Sequence, residues 1–477
     1  MIVKRSSLLA FCLTIILSFI VIGTTGNALE AITFMCFFTL MIFYMSDARE
    51  NAFIILFMMA FFVFLLGRPF AEIFLEITRP TGYNAPLTSE AENHMYLILT
   101  LGLLSLALGY SGIFKLSNRS ISIGKRDIYP NNAARLIRAN SIEMCTKPFV
   151  FVFYACVLAI NVERAIYVSI FGYLESYLNR TSVIPEFVAQ LADLAPIAMA
   201  LYLSTLPDKK SSQLPIIVYL ISNLSNLFTG ARYEAVSAIL IIILYALFRN
   251  RIDEEKWISK RMLVSIALSI PIAMVFLLAM EKWRAGGNAA GTLGEMLGEF
   301  FQSVGGSSSI IGYEYMYQDE LLARGVWFSF GNVWRSLNNN AIGKLLWGNT
   351  VYQSQTVENA LYGHSLGSFL MYKLAPARYL RGGGMGSCYL AELYCDFSYF
   401  GVIVGNLGIG AAIRYFDYLH HDKVFKNFFA VFLSMSLFRI PRDCFDYFLN
   451  QLIGIKNILF ILLILFVSAV YRKRINE

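Results

Sequence analysis

Residues 52–75 read AFIILFMMAFFVFLLGRPFAEIFL. The run is apolar for long enough to cross the ~30 Å hydrocarbon core of a bilayer at ~1.5 Å per helical residue. A helix on the surface of a soluble domain would break such a stretch with a polar face. At its far end the run meets Gly67, Arg68 and Pro69. A spanning run with an arginine at its edge recurs elsewhere in the chain.

Of the 477 residues, 57% are hydrophobic and 15% charged, and the mean hydropathy is +0.58. Soluble domains carry about 25% charged residues, so a water-soluble protein of this size would lack polar surface. Further apolar runs lie near 8–24, 28–46, 94–112, 148–171, 184–206, 214–229, 231–249, 262–281, 387–416, 424–441 and 451–471. With 52–75 they predict about twelve transmembrane helices, and hence an all-α polytopic membrane protein. The run 387–416 exceeds one crossing, so its first part is expected to be interfacial or re-entrant. The first run follows Lys4 and Arg5, but the next begins near Ala28; this spacing reads as a tight helical hairpin rather than a cleaved leader.

The net charge of +7 is spread over short loops. It forms no basic stripe of the kind that binds nucleic acid. If both chain ends are cytoplasmic, 23 of the 39 Lys and Arg fall on the inside, including the cluster in 114–147 and the YRKR stretch at 471–474. That matches the positive-inside rule. Residues 282–386 form one long outer segment with no spanning run. Its Trp327, Trp334 and Trp347 argue against disorder. The expected organisation is therefore helices 1–9 within 1–281, an ordered and partly helical outer cap at 282–386, and helices 10–12 within 387–477. The stretches 285–298 and RGGGMG at 381–386 read as joints. No internal repeat is visible, which argues against the common transporter folds. The seven cysteines include no CxxC and no Cys/His cluster, so a structural metal site is not expected.

Positive charge at the outer edge runs against the topology rule and needs a reason. Arg68 lies in LGRPF at 66–70, Arg232 in TGARYE at 229–234, and Arg439 and Arg442 in FRIPRD at 438–443. Arg284, Arg378 and Arg381 lie where the long segment meets the membrane. Each could touch lipid headgroups, snorkel or pair with a nearby acid. Three separate span ends with Arg beside Gly or Pro instead favour a shared anionic ligand, because guanidinium grips phosphate oxygens bidentately and stays charged when partly desolvated. A lipid diphosphate at headgroup level is the obvious candidate.

Glu392 and Asp396 are four apart in SCYLAELYCD at 387–396, so a helix puts them on one face. Either could serve as general base toward a sugar hydroxyl; either could instead pair with an arginine. His364, in YGHSLG at 362–367, is a third candidate for acceptor binding or proton transfer. This GHSLG is not a nucleophile elbow, which needs Ser at its centre. P-loop and HExxH motifs are absent, as is a DxD-type acidic pair on a cytoplasmic domain.

In these features the chain resembles the O-antigen polymerase family, Wzy. The resemblance rests on the many spans, the single large outer segment late in the chain, GRPF at 67–70, TGARYE at 229–234, GHS at 363–365 and GMGSCYLAELYCDFSYFG at 384–401. Cys388 stands where the family's run would have Ser or another small residue, and the paired arginine-and-glycine loop motifs of some polymerases have no recognisable counterpart. The resemblance implies a GT-C-like, metal-independent, inverting glycosyltransferase without cofactor in the bacterial inner membrane, with its active site facing the periplasm. It would move a growing glycan from undecaprenyl diphosphate to an incoming undecaprenyl-diphosphate-linked oligosaccharide, with a Wzz-type chain-length regulator as a plausible partner. Flippase or exporter activity, and O-antigen ligase activity, are the alternatives.

Overall fold

The computed structural model describes residues 27–77, 86–112, 132–173, 175–284, 291–338, 343, 345, 348 and 352–476, with backbone alone at 132–138, 177, 283, 284 and 474–476. The expected span at 8–24, the side chain of Arg284 and Trp347 lie outside the described residues. Among those described, every regular element is a helix.

In chain order these are α1 Ala28–Met45, α2 Ala52–Phe61, α3 Gly67–Phe74, α4 Ser89–Gly112, α5 Asn132–Phe171, α6 Glu175–Leu178, α7 Glu186–Ala192, α8 Ala195–Ser204, α9 Lys209–Leu224, α10 Asn226–Thr229, α11 Arg232–Ile252 and α12 Lys260–Arg284. Eight shorter or later helices follow: α13 Leu293–Val304, α14 Ser309–Met316, α15 Gln318–Leu322, α16 Gly331–Asn338, α17 Val357–Tyr362, α18 Leu366–Leu374, α19 Pro376–Leu380 and α20 Tyr389–Phe416. The chain closes with α21 Val424–Leu437, α22 Tyr447–Ile453 and α23 Ile455–Asn476.

Ten helical stretches of the described residues are long and apolar enough to cross a membrane, and they fall on ten of the twelve expected runs. The run near 214–229 is different. There α9 has 16 residues, and α10 follows as a separate turn closed by Gly230 at φ +97°. Ser222, Asn223, Ser225 and Asn226 interrupt the apolar pattern at that joint. The long run at 387–416 also divides. Ser398 adopts φ 55°, ψ −154° inside α20, a left-handed conformation costly for a residue with a Cβ, so the element is two helices meeting at a kink. Side chains facing outward are apolar, as a lipid environment requires: Leu268 and Ile272 on α12 are 72% and 71% exposed.

The chain folds as two compact units. One contains the described residues of 27–115, Leu268–Arg414 and Phe438–Tyr447. In it α1 and α4 are joined by polar contacts between apolar helices: the hydroxyls of Thr33 and Thr100 are 2.8 Å apart, and Tyr96 donates to Glu30. Such bonds hold helices together where lipid offers no competing partner. Helices α4 and α20 cross on glycines. A Cβ on Gly109 would lie 2.2 Å from the Leu407 carbonyl oxygen, and one on Gly410 would lie 2.2 Å from that of Leu106. Between α2 and α3 the backbone makes a π-turn, Phe62–Leu66; such bulges re-aim the residues that follow.

The second unit holds the described residues of 116–267, Tyr415–Leu437 and 448–477. Asn427 on α21 donates to the Ser204 carbonyl at the end of α8 at 3.1 Å, and Asn161 on α5 donates to the Ser222 carbonyl on α9 at 3.1 Å. Arg249 pairs with Asp253 at 2.7 Å and lies 4.4 Å from the Trp257 ring, which fastens the last turn of α11. Glu163 pairs with Arg180 at 3.0 Å.

Candidate functional site

The π-turn delivers Arg68 onto α3 with its guanidinium aimed at the segment after α13. Nη2 donates to the Gln302 carbonyl at 3.1 Å and Nη1 to Ser309 Oγ at 3.4 Å, while the buried Nε has no partner. Glycines make the approach possible. A Cβ on Gly305 would sit 2.3 Å from the Arg68 backbone nitrogen, and one on Gly306 2.7 Å from Nη2. Gln302 is pinned by donating to Glu72 at 3.0 Å and to the Ile77 carbonyl at 2.7 Å.

Arg442 reaches the same place from the short 3₁₀ turn Ile440–Arg442, with its guanidinium carbon 5.8 Å from the centre of the Phe64 ring in the π-turn. Arg68 and Arg442 line one cavity of about 100 Å³, together with Ser303, Ser307, Tyr313 and the backbone of Gly384 and Gly386. Gly386 has φ +80°, and its carbonyl oxygen lies where a Cβ on Gly367 would be 1.8 Å away. The turn thus needs glycine on both sides. The GGSSS stretch at 305–309 and Tyr313 were not singled out from the sequence. Small residues beside a polar run were their only signal.

The other arginines are placed differently. Arg439 pairs with Asp443 and stacks on Tyr447, its guanidinium carbon 4.5 Å from the ring centre. Arg378 and Arg381 are exposed on and just after α19, and neither lines a cavity described here. Arg232 opens α11 in the other unit.

The carboxylates hold backbone rather than arginines. Glu392, 1% exposed, accepts from Ser387 Oγ at 2.6 Å and from the Phe445 N–H at 2.9 Å. It fixes the strap that carries Arg442. Asp396 accepts from the N–H groups of Phe328 and Ser329, at 3.0 and 2.6 Å. Asp446 accepts from Asn332 Nδ2 at 3.0 Å and from the Val333 N–H at 2.8 Å, capping the start of α16. An arginine partner, the alternative open for Glu392 and Asp396 from the sequence, is replaced by main-chain donors and, at Glu392, the Ser387 hydroxyl, neutral groups that cost less to bury than a second charge.

His364 and Trp334 line a second, larger cavity of about 360 Å³, with Arg335, Tyr352 and Tyr362. His364 Nδ1 lies 3.0 Å from the Trp327 carbonyl, which can only accept, so Nδ1 carries the hydrogen and Nε2 the lone pair. Burial and the positive charges of Arg324 and Arg335 lower its pKa, against a raising contribution from that hydrogen bond and from Asp396. The imidazole is therefore neutral at neutral pH.

Two further charged residues, the half-buried Arg324 and the buried Glu314, had no sequence signal. Arg324 donates to the Gly363 carbonyl at 2.5 Å between the rings of Phe328 and Phe369. Glu314 on α14 is fully buried with neither oxygen partnered; burial, aided by Asp396, raises its pKa to about 8. Among the described residues no group of three His, Cys, Asp or Glu side chains could hold a metal ion.

A family model described as O-antigen polysaccharide polymerase Wzy matches residues 6–474. No curated protein and no solved structure matches the chain. The chain belongs to the O-antigen polysaccharide polymerase family. It is a multi-pass bacterial membrane protein, in a family of glycosyltransferase-like polymerases that use lipid-linked oligosaccharide.

Proposed function

We propose that this member of the polymerase family extends O-antigen on the periplasmic side of the inner membrane, transferring the growing glycan from undecaprenyl diphosphate to an incoming lipid-linked repeat unit. The observation that carries the reading is the meeting of Arg68 and Arg442 at one small cavity walled by serines, a tyrosine and glycine backbone. A cavity of about 100 Å³ has the scale of a diphosphate rather than of a sugar chain. Two guanidinium groups supply fixed positive charge where the leaving group gains negative charge, and so do the work that a metal does elsewhere.

The reaction follows from that assignment. The acceptor hydroxyl oxygen attacks the anomeric carbon opposite the diphosphate. The carbon–oxygen bond to the diphosphate breaks, and its electron pair leaves on undecaprenyl diphosphate, so the configuration inverts. The hydroxyl proton goes to a base. His364 Nε2 suits this role: it is neutral and carries a lone pair. Both oxygens of Glu392 and of Asp396 are already engaged by hydrogen-bond donors, so these two act as positioning residues. The exposed Arg378 and Arg381 are further contacts for lipid-linked substrate at the membrane edge. The segment 282–386 is the periplasmic cap, and a chain-length regulator of the Wzz type acts on the same assembly.

The test is the surface-glycan ladder of a deletion strain carrying plasmid-borne variants. Arg68→Ala and Arg442→Ala are expected to leave protein in the membrane and lipopolysaccharide with a single repeat unit, with activity down about 10²–10³-fold. Long chains at wild-type abundance in both variants would overturn the reading. A ladder lacking even the single unit would assign the chain to ligation instead.

A further inference from the structure

The larger cavity has chemistry that the diphosphate site does not. Its wall carries the Trp334, Tyr352 and Tyr362 rings, the His364 imidazole and the Arg335 guanidinium. Trp334 is 45% and Tyr362 61% exposed. The rings are arranged in pairs: Trp334 lies 5.6 Å from His364 at an interplanar angle of 36°, and Tyr352 lies 6.2 Å from Tyr362 at 41°. Open aromatic faces leave apolar area in water unless something flat and partly apolar covers them. The C–H face of a pyranose does so, and its hydroxyls then reach the polar edge groups.

The platform is held firmly. Asp446 caps α16, which carries Trp334 and Arg335, and Asn338 donates to the Trp334 carbonyl at 2.9 Å. Gly331 approaches the His364 carbonyl oxygen so closely that a Cβ would lie 2.0 Å from it, locking α16 to the segment that presents the imidazole. Preorganised walls of this kind lose little freedom on binding.

Arg335 sets the charge. It is half-buried at the cavity wall and makes no hydrogen bond or ion pair with another described side chain. The charged groups that act on the neighbouring His364 are Arg335 itself, Arg324 and, opposing them, Asp396. Two guanidinium groups stand against one carboxylate there, which gives the surroundings of the imidazole a positive bias. A guanidinium set beside aromatic faces reads a planar carboxylate bidentately.

We infer that this cleft is a saccharide subsite that selects a repeat unit carrying an acidic sugar, with Trp334 as the stacking face and Arg335 paired to the sugar carboxylate. The inference rests on the polymerase reading for its source of glycan, but binding to the cleft is measurable without polymerisation.

The purified protein in nanodiscs is titrated with a trisaccharide containing galacturonic acid and with the same trisaccharide after carboxyl reduction. A charge-assisted pair contributes ~1.5–3 kcal/mol, so the acidic form should bind about tenfold more tightly or better. Arg335→Gln should bring the two forms to one affinity, and Trp334→Ala should weaken both. Equal affinities in the wild type, or Trp334→Ala binding both as the wild type does, would overturn the inference and mark the rings as membrane-interface aromatics. Arg68→Ala separates the two claims. It should keep wild-type trisaccharide binding while losing long chains. Long chains lost without any acidic preference would sink the cleft alone; the preference kept with long chains intact in both Arg68→Ala and Arg442→Ala would sink the polymerase reading alone.

Discussion

Arg68 and Arg439 carry the same charge beside glycine or isoleucine-proline, yet their surroundings separate them. Arg439 has an acid four residues on, Asp443, and pairs with it; that spacing was visible in the sequence. Arg68 has Glu72 at the same spacing but does not pair with it, because that carboxylate accepts from Gln302. The partners of Arg68, Gln302 and Ser309, are more than 230 positions away, and only the fold brings them in. Glu314 and Arg324 were illegible for the same reason. A single acid in IIGYEYM at 310–316 looks like any surface carboxylate until the packing of α14 buries it. Its raised pKa gives a stability prediction. The folded protein holds the proton to about pH 8, whereas an ordinary glutamate releases it near 4.5. Folding therefore loses stability as pH rises through that window, and the loss is complete above about pH 8. Melting temperatures of the purified protein at pH 5.5 and 8.5 should fall less in Glu314→Gln than in the wild type. An equal fall in both would show that Glu314 ionises normally.

Elements were more legible than contacts. Ten apolar runs became helices of spanning length because in lipid a continuous helix alone satisfies its own backbone. The run 387–416, longer than one crossing needs, is divided by a kink at Ser398. The run 214–229 failed as one span because serines and asparagines at 222–226 bind their own backbone and end α9. The π-turn before Arg68 left no mark in FVFLL at 62–66, since hydropathy does not report hydrogen-bond register. Glycines on α4 and α20 did lie in plain sight, but which of them meet required the crossing. Gly410→Val puts side-chain atoms into the Leu106 carbonyl. It should cost about 1–3 kcal/mol as overpacking and lower the melting temperature, whereas Gly408→Ala, with nothing within 4 Å of its Cβ, should not. Equal tolerance of both substitutions would refute the close crossing.

At the scale of the whole molecule, two compact units are each assembled from chain segments distant in sequence. Both candidate cavities belong to the unit that contains α13–α20. In the proposed topology the short basic loops are cytoplasmic and these cavities periplasmic. Alkaline phosphatase fused after residue 324 should be active, and the same enzyme fused after residue 256 inactive; the reverse pattern would invert the topology. The central claim is that two arginines do the electrostatic work of glycan transfer from a lipid diphosphate. The most direct measurement is reconstituted polymerisation: purified protein, lipid-linked repeat unit and excess EDTA, with product length and undecaprenyl diphosphate release followed together. The account predicts polymer and stoichiometric undecaprenyl diphosphate release in EDTA, with both lost in the Arg68→Ala, Arg442→Ala double variant. Polymer that needs added divalent metal, or that forms equally well in the double variant, would contradict it.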